Sequence, residues 1–510
     1  MKKFTVLVAL ALIAATGTGY AVTCSQDNVP AATLLVPYFQ VSGSAASGTI
    51  PAGGVDTTVA ITNVSSWGVI AHVTVWNKQS AAVLDFNVPM TGFDVAFFSM
   101  RGVLNGNLNV NENVQKAGSV DPCRDVTKIG TAKTQYIRFT HPQYTVPATP
   151  GTDYFDSIGF YASPAFSGNF RNKILDSLDE SPVYSSLATR PSDDVDNPAC
   201  YGEAPDGVFT STFAGYLTID VVNYCTNWFP DQAQFYNYEA IATRGWDLNG
   251  VGPNVLIGDV FYIDPAPAGG NVPGENAVAL EFDARLQFPT TWATTPYKTF
   301  YGRYGSTTGG IVDTTTSLTG ALATTYAFRG DGREPLGSVY GFRYLNDSVG
   351  GLQTWATIWR SDVWDADDSS TTQDPDHDVT LCDVSFNGRQ ISISIWDNDE
   401  GQYSQTGGGP SGDTPLTSYT NVWWEANRVS LLDNPTVIPV ASWKGGWTRF
   451  TFNRNYDDRY HQAYVSVEHT APGLMVSVGH NAAVLDNQFT CPGAQGPFAA
   501  VPGNVAFSAE

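Results

Sequence analysis

Seven aspartates, Asp362, Asp365, Asp367, Asp368, Asp374, Asp376 and Asp378, fall within 17 residues around the run DADDSSTTQDPDHD. Carboxylates this crowded repel one another unless water or a cation takes up their charge. Ca2+ suits them, because it accepts about six to eight oxygen ligands from flexible loops. The spacing is not that of an EF-hand. A second acidic turn, WDNDEG, sets Asp397, Asp399 and Glu400 just after an alternating stretch and is read as a second ligand set. The alternative at each place is a solvated acidic loop.

Other chemistry is sparse. GxSxG, P-loop and HExxH patterns are absent. One GxGxxG occurs, at Gly407, Gly409 and Gly412, but Pro410 and Ser411 stand where a phosphate-binding helix should open, so it reads as a loop. Asp259, Asp264, Glu275, Glu281 and Asp283 gather in one region, and two of them held about 5–9.5 Å apart could cleave a glycosidic bond. With 49 acidic residues, chance pairs are expected, and no residue is assigned as catalytic.

The six histidines are dispersed. His461 and His469 would lie roughly 26 Å apart on one continuous strand, too far to share a ligand. His480 returns toward His469 only if the intervening APG forms a hairpin, and ordinary cross-strand packing is the expectation there. Thirteen tryptophans exceed what small cores need, so a carbohydrate-stacking surface is considered, with Trp443 and Trp447 among its candidates. Trp423 and Trp424 cannot share one face, since adjacent strand residues point to opposite sides.

Strands must position these groups. Val, Thr, Tyr, Phe and Trp alternate between Gly, Pro, Asn and Asp punctuation along most of the chain. The best helical pattern is NFRNKILDSLDE, where Phe170, Ile174, Leu175 and Leu178 share a face. Two segments repeat one another, ITNVSSWGVIAHVTVW and YLNDSVGGLQTWATIW. Asn63, Ser65, Gly68 and Trp76 in the first match Asn346, Ser348, Gly351 and Trp359 in the second. Each copy reads as a strand, an Asn-capped turn with a permissive Gly, and a second strand in hairpin.

A sheet with one apolar face must bury it, and here a second sheet is the available cover. The fold class is therefore all-β, with at least two β-sandwich modules broadly similar to immunoglobulin-like domains and a predominantly β middle region. The expected divisions are a signal peptide at 1–21, an N-terminal sandwich at 22–160, a β-rich middle at 161–330 with one short helix, and a C-terminal sandwich at 331–510 bearing the acidic insertion.

Lys2 and Lys3 precede a short apolar run and a small-residue exit at Gly19 and Ala21, the pattern of a secretory signal peptide. No transmembrane insertion is expected after cleavage. An exported chain with six cysteines, Cys24, Cys123, Cys200, Cys225, Cys382 and Cys491, is expected to form three disulfides. The formal charge of −23 repels phosphate backbones, so nucleic acid is a poor partner.

These features lead to the expectation of a secreted, non-catalytic structural or surface and adhesion protein, disulfide-stabilised and calcium-binding. It would act outside the cell, at the cell surface or in the periplasm, with itself, other surface proteins or polysaccharide as partner. The alternative is a carbohydrate-binding or glycoside-processing protein.

Overall fold

The computed structural model describes residues 25–26, 30–43, 50–51, 53–66, 69–78, 82–105, 174–175, 177–178, 212–222, 254–264, 274–280, 336–337, 339–346, 351–360, 389–397, 416–422, 426–431, 443–452, 463–471 and 476–486. The N-terminal half contains β1 (Ser25–Gln26), β2 (Thr33–Ser42), β3 (Asp56–Asn63), β4 (Val69–Asn77), β5 (Ala82–Met90), β6 (Val95–Ser99), the short helix α1 (Met100–Leu104), β7 (Thr212–Val222), β8 (Leu256–Ile263), β9 (Gly274–Asn276) and β10 (Val278–Leu280). These strands form an inner sheet, ordered β1-β10-β2-β7-β4-β5, and an outer sheet, ordered β6-β3-β8-β9. Thus β7 to β10, from the stretch read as a middle region, complete both N-terminal sheets.

The C-terminal half contains β11 (Val339–Leu345), β12 (Gln353–Arg360), β13 (Arg389–Asp397), β14 (Leu416–Val422), β15 (Ala426–Ser430), β16 (Gly445–Thr451), β17 (Ala463–Ala471), β18 (Val476–Asn481) and β19 (Ala483–Asp486). Its inner sheet runs β15-β12-β17-β18 and its outer sheet β14-β13-β16-β11-β19. All the strand pairs are antiparallel. The expected helix is present in part, with Ile174, Leu175 and Leu178 helical and buried.

Register decides which side chains meet. Val73 lies opposite Phe86 on β5, and Phe86 touches Phe98 of β6 edge-on, with ring centroids 5.3 Å apart. That face of the inner sheet closes on its own outer sheet. The other face turns to the C-terminal half, where Trp76 stacks on Tyr216 and Tyr216 meets Trp359 edge-on at 5.7 Å. β2 packs against β12 and β15, and the Ala426 N–H reaches the Lys78 carbonyl at 3.4 Å. One apolar core therefore runs through both halves. Gly215 makes room at the seam, because a Cβ there would stand 2.0 Å from the Trp76 carbonyl oxygen.

The sequence repeat is a repeat of topology. β3, β4, β5, β6, β7 and β8 pass outer, inner, inner, outer, inner, outer, and β11, β12, β15, β16, β17 and β19 follow the same path. Trp76 lies opposite Tyr216, as Trp359 lies opposite Tyr464. The Asn63 N–H bonds the carbonyl of Asp94 just before β6 at 2.9 Å, and the Asn346 N–H bonds that of Lys444 just before β16 at 2.8 Å. β13 and β14 are an insertion between β12 and β15, and β18 is an added inner strand between β17 and β19; the first run of aspartates precedes β13 in sequence, outside the described residues.

Two expectations are corrected. The Asn-capped turn does not make a hairpin, since β3 and β4 lie in different sheets, as do β11 and β12. Every described side chain of β4 is buried, and such a strand belongs between two layers rather than on a one-sided hairpin. The disulfide-stabilised fold is not found either. No disulfide joins described residues, and all six cysteines lie outside them. Sheet ladders and a shared core hold these layers together, as a chain of this length allows.

Candidate functional site

The expected calcium ligands do not assemble in the described structure. Asp362, Asp365, Asp367, Asp368, Asp374, Asp376, Asp378, Asp399 and Glu400 lie outside the described residues, and Asp397 is the last residue of β13. Among the described residues no group of three or more His, Cys, Asp or Glu side chains is placed to hold a metal ion. The expected Ca2+ sites therefore fall almost wholly outside the described residues. Of the acids considered for glycoside chemistry, Asp259 is exposed on β8 and Asp264 follows that strand, while Glu281 and Asp283 lie outside the described residues.

The clearest departure from ordinary surface chemistry is the outer face of the outer N-terminal sheet. Strand alternation puts Val95 and Phe97 of β6 on the side away from the core, 51% and 63% exposed, and Phe261 of β8 on the same side, 37% exposed. Cross-strand neighbours continue the surface. Phe97 lies opposite Ala60, which lies opposite Asp259; Val95 lies opposite Thr62, which lies opposite Ile257. Asp259 is the exposed carboxylate in its middle, and β6 is the sheet's edge strand.

Phe93, two residues before β6, is also exposed and is backbone-strained. It has φ of 56°, a left-handed conformation that a bulky side chain rarely adopts, yet its ring is 71% exposed. Local bonds hold the turn. The Phe93 N–H donates to Ser65 O at 2.9 Å, and Asp94 Oδ2 accepts from the Thr91 N–H at 3.0 Å and its hydroxyl at 3.1 Å.

Sequence reasoning did not single out this face. Val95 and Phe97 do alternate, but Ala96 and Phe98 of the other set are also apolar, so periodicity alone could not say which set faces water.

The outer C-terminal sheet carries a second aromatic feature. Trp396 of β13 and Trp447 of β16 are register partners, and their rings stack in parallel with centroids 3.9 Å apart. Trp447 is 39% exposed, and exposed Arg343 of β11 is its partner on the other side. Trp423 and Trp424 lie outside the described residues, and Trp443 is buried.

Polar chemistry is concentrated inside. His72, Asp85 and Asp220 are fully buried, with His72 Nε2 3.7 Å from Asp85 Oδ2 and Nδ1 3.0 Å from Asn87 Oδ1. Thr33 donates to Asp220. Burial pushes His72 down to about 4, against the opposing effects of the Asn87 bond and the Asp220 charge. In the C-terminal half, Arg428 lies over the Trp355 ring at 4.5 Å and pairs with Glu468. Arg428 also senses Tyr38 and Tyr262 of the N-terminal half, so this ion pair sits at the seam.

His469 and His480 do come together on adjacent strands β17 and β18, with Nε2 atoms 3.1 Å apart. Partial burial, with His480 close by, lowers His469 to about 4. The hairpin geometry allowed for in the sequence is therefore the one formed.

No family model, curated protein or solved structure matches this chain. The described protein is essentially all-β, with several packed antiparallel sheets, and no described helix is long and apolar enough to cross a membrane.

Proposed function

We propose that this chain is an exported, non-catalytic binding protein whose partner is a second copy of itself, docked outer N-terminal sheet against outer N-terminal sheet. Each sheet pair is read as one β-sandwich module of a duplicated unit. The observation that carries the proposal is the set Val95, Phe97 and Phe261, exposed on one sheet face, with exposed Phe93 just before β6. Contiguous exposed apolar surface of this kind marks interaction sites. A flat sheet is matched in shape by another sheet at about 10 Å spacing. A two-fold arrangement would bury the same residues on both copies and close the assembly as a dimer.

Charge distribution supports a copy of the chain over a polyanion, since Asp259 stands within the face and the whole chain carries −23. Like-charge repulsion between copies makes association stronger at raised ionic strength. Sedimentation velocity on residues 22–510 tests the proposal. The expected result is a concentration-dependent dimer that salt strengthens and that Phe97→Lys abolishes, with thermal unfolding unchanged. A monomer at every concentration, or a dimer indifferent to Phe97→Lys, would sink it.

The stacked Trp396 and Trp447 pair beside Arg343 favours polysaccharide as a second reading. Retardation of the protein in gels cast with polysaccharide, lost in Trp447→Ala, would support it; unretarded wild type would dismiss it.

A further inference from the structure

His469 and His480 face each other across β17 and β18. β17 and β18 pair antiparallel, with His469 opposite Val478 and Val467 opposite His480, so the two imidazoles are diagonal neighbours on one face. Both rings are half-buried and reachable by water. Their far nitrogens are held by fixed acceptors. His480 Nδ1 lies 3.1 Å from the Asn481 carbonyl, which accepts only, so Nδ1 carries the hydrogen.

His469 Nδ1 lies 3.0 Å from Thr354 Oγ1. That hydroxyl donates its one hydrogen to Leu345 O at 2.9 Å and accepts the Leu345 N–H at 2.7 Å. Its remaining capacity is to accept, which assigns the hydrogen of His469 to Nδ1 as well. That tautomer assignment leaves the two Nε2 lone pairs facing each other at 3.1 Å.

We propose that His469 and His480 form a binding site for a divalent first-row transition-metal ion such as Zn2+ or Cu2+. With metal–nitrogen bonds of about 2.0–2.1 Å, nitrogens 3.1 Å apart subtend roughly 100° at the metal, between square-planar and tetrahedral ligand angles. Thr354 and the Asn481 carbonyl supply the outer bonds that fix ring orientation and tautomer at histidine metal sites. Water fills the remaining positions. Nitrogen donors distinguish this site from the oxygen-rich one expected for Ca2+.

The test is isothermal titration of Zn2+ into chelator-stripped residues 22–510 at neutral pH, with Ca2+ as the control. The expected result is one Zn2+ equivalent that is lost in both His469→Gln and His480→Gln and not displaced by Ca2+. Thr354→Val keeps both ligands and should weaken binding about tenfold. Thermal unfolding of each apo variant separates loss of a ligand from loss of fold, and His480→Gln, on the half-exposed strand β18, is the variant that leaves the core untouched. Absence of Zn2+ binding, or binding unaltered by either glutamine substitution in a folded variant, overturns the proposal and leaves the pair as a shared-proton contact.

Discussion

At matched places on the two inner sheets, His72 of β4 stands between Asn87 and Asp220, whereas Trp355 of β12 stands between Ser430 and Glu468. One row further along, Asp85, Thr74 and Thr218 correspond to Arg428, Thr357 and Ser466. The frame is common, but a buried acid has become a half-buried base. In the N-terminal half two carboxylates surround a neutral histidine; in the C-terminal half a guanidinium and a carboxylate neutralise each other under a tryptophan. Anchors at the ends of the strands, Trp76 with Tyr216 and Trp359 with Tyr464, set the geometry. The positions between carry different electrostatics, so what the two halves share is a scaffold rather than a site.

The largest effect should come from those anchors. Trp76→Ala and Trp359→Ala each remove a fully buried ring and should each cost about 3–5 kcal/mol. Both rings meet Tyr216, so their costs should not add in the double variant. Denaturant unfolding of the two singles and the double measures this. Strict additivity would mean that the halves are energetically separate despite their shared core.

Next is the inverted charge. Arg428→Met leaves Glu468 buried without its partner and should cost about 3 kcal/mol, while Arg428→Met with Glu468→Gln should recover part of that loss. If the single and double variants are equally unstable, the ion pair contributes through packing on Trp355 instead.

The histidine of the N-terminal half gives a pH signature that the C-terminal half lacks at the matched position. Folded His72 titrates near 4, below its ordinary 6.5, so as pH falls the unfolded chain binds a proton first. Its contribution is complete above about pH 6.5 and is lost progressively down to about pH 4, some ~3 kcal/mol in all. Asp85 and Asp220 face the ring, and neither reverses this direction. Urea unfolding at steps from pH 7 to pH 4 should show a shallower loss in His72→Gln than in the natural chain. Parallel slopes would mean that other groups carry the acid sensitivity.

Much of this frame was legible in the chain. The four residues shared by the two repeats mark the same layer crossing, and the period-two pattern identified an all-β, helix-poor protein. What could not be read was depth. In β4 both sets of alternating residues are buried, so His72 and Thr74 gave no sign of lying inside a seam. The exposed face was hidden for the converse reason, since both faces of β6 are apolar and only packing against Phe86 reveals Phe98 as the inward one. The aspartates drew attention by composition, a signal of charge that carries no geometry. His469 and His480 needed a register that the break between them does not encode.

The smallest effects concern the crossing between layers, where each half shows one described device. Asn63 holds the first with its side chain, donating to Thr91 O at 2.8 Å and accepting from the Ser65 N–H at 3.0 Å and hydroxyl at 2.7 Å. In the second, Gly351 has φ of 70°, a conformation that a Cβ disfavours by about 1 kcal/mol or slightly more. Asn63→Ala should therefore cost about 1–2 kcal/mol through lost hydrogen bonds, and Gly351→Ala about 1 kcal/mol through backbone strain. Gly351→Asn separates the two causes, because asparagine tolerates the left-handed region better than alanine and should recover part of the loss. Thermal unfolding of the three variants measures the order. If Gly351→Asn were no better than Gly351→Ala, side-chain crowding rather than φ would set the cost of the second crossing.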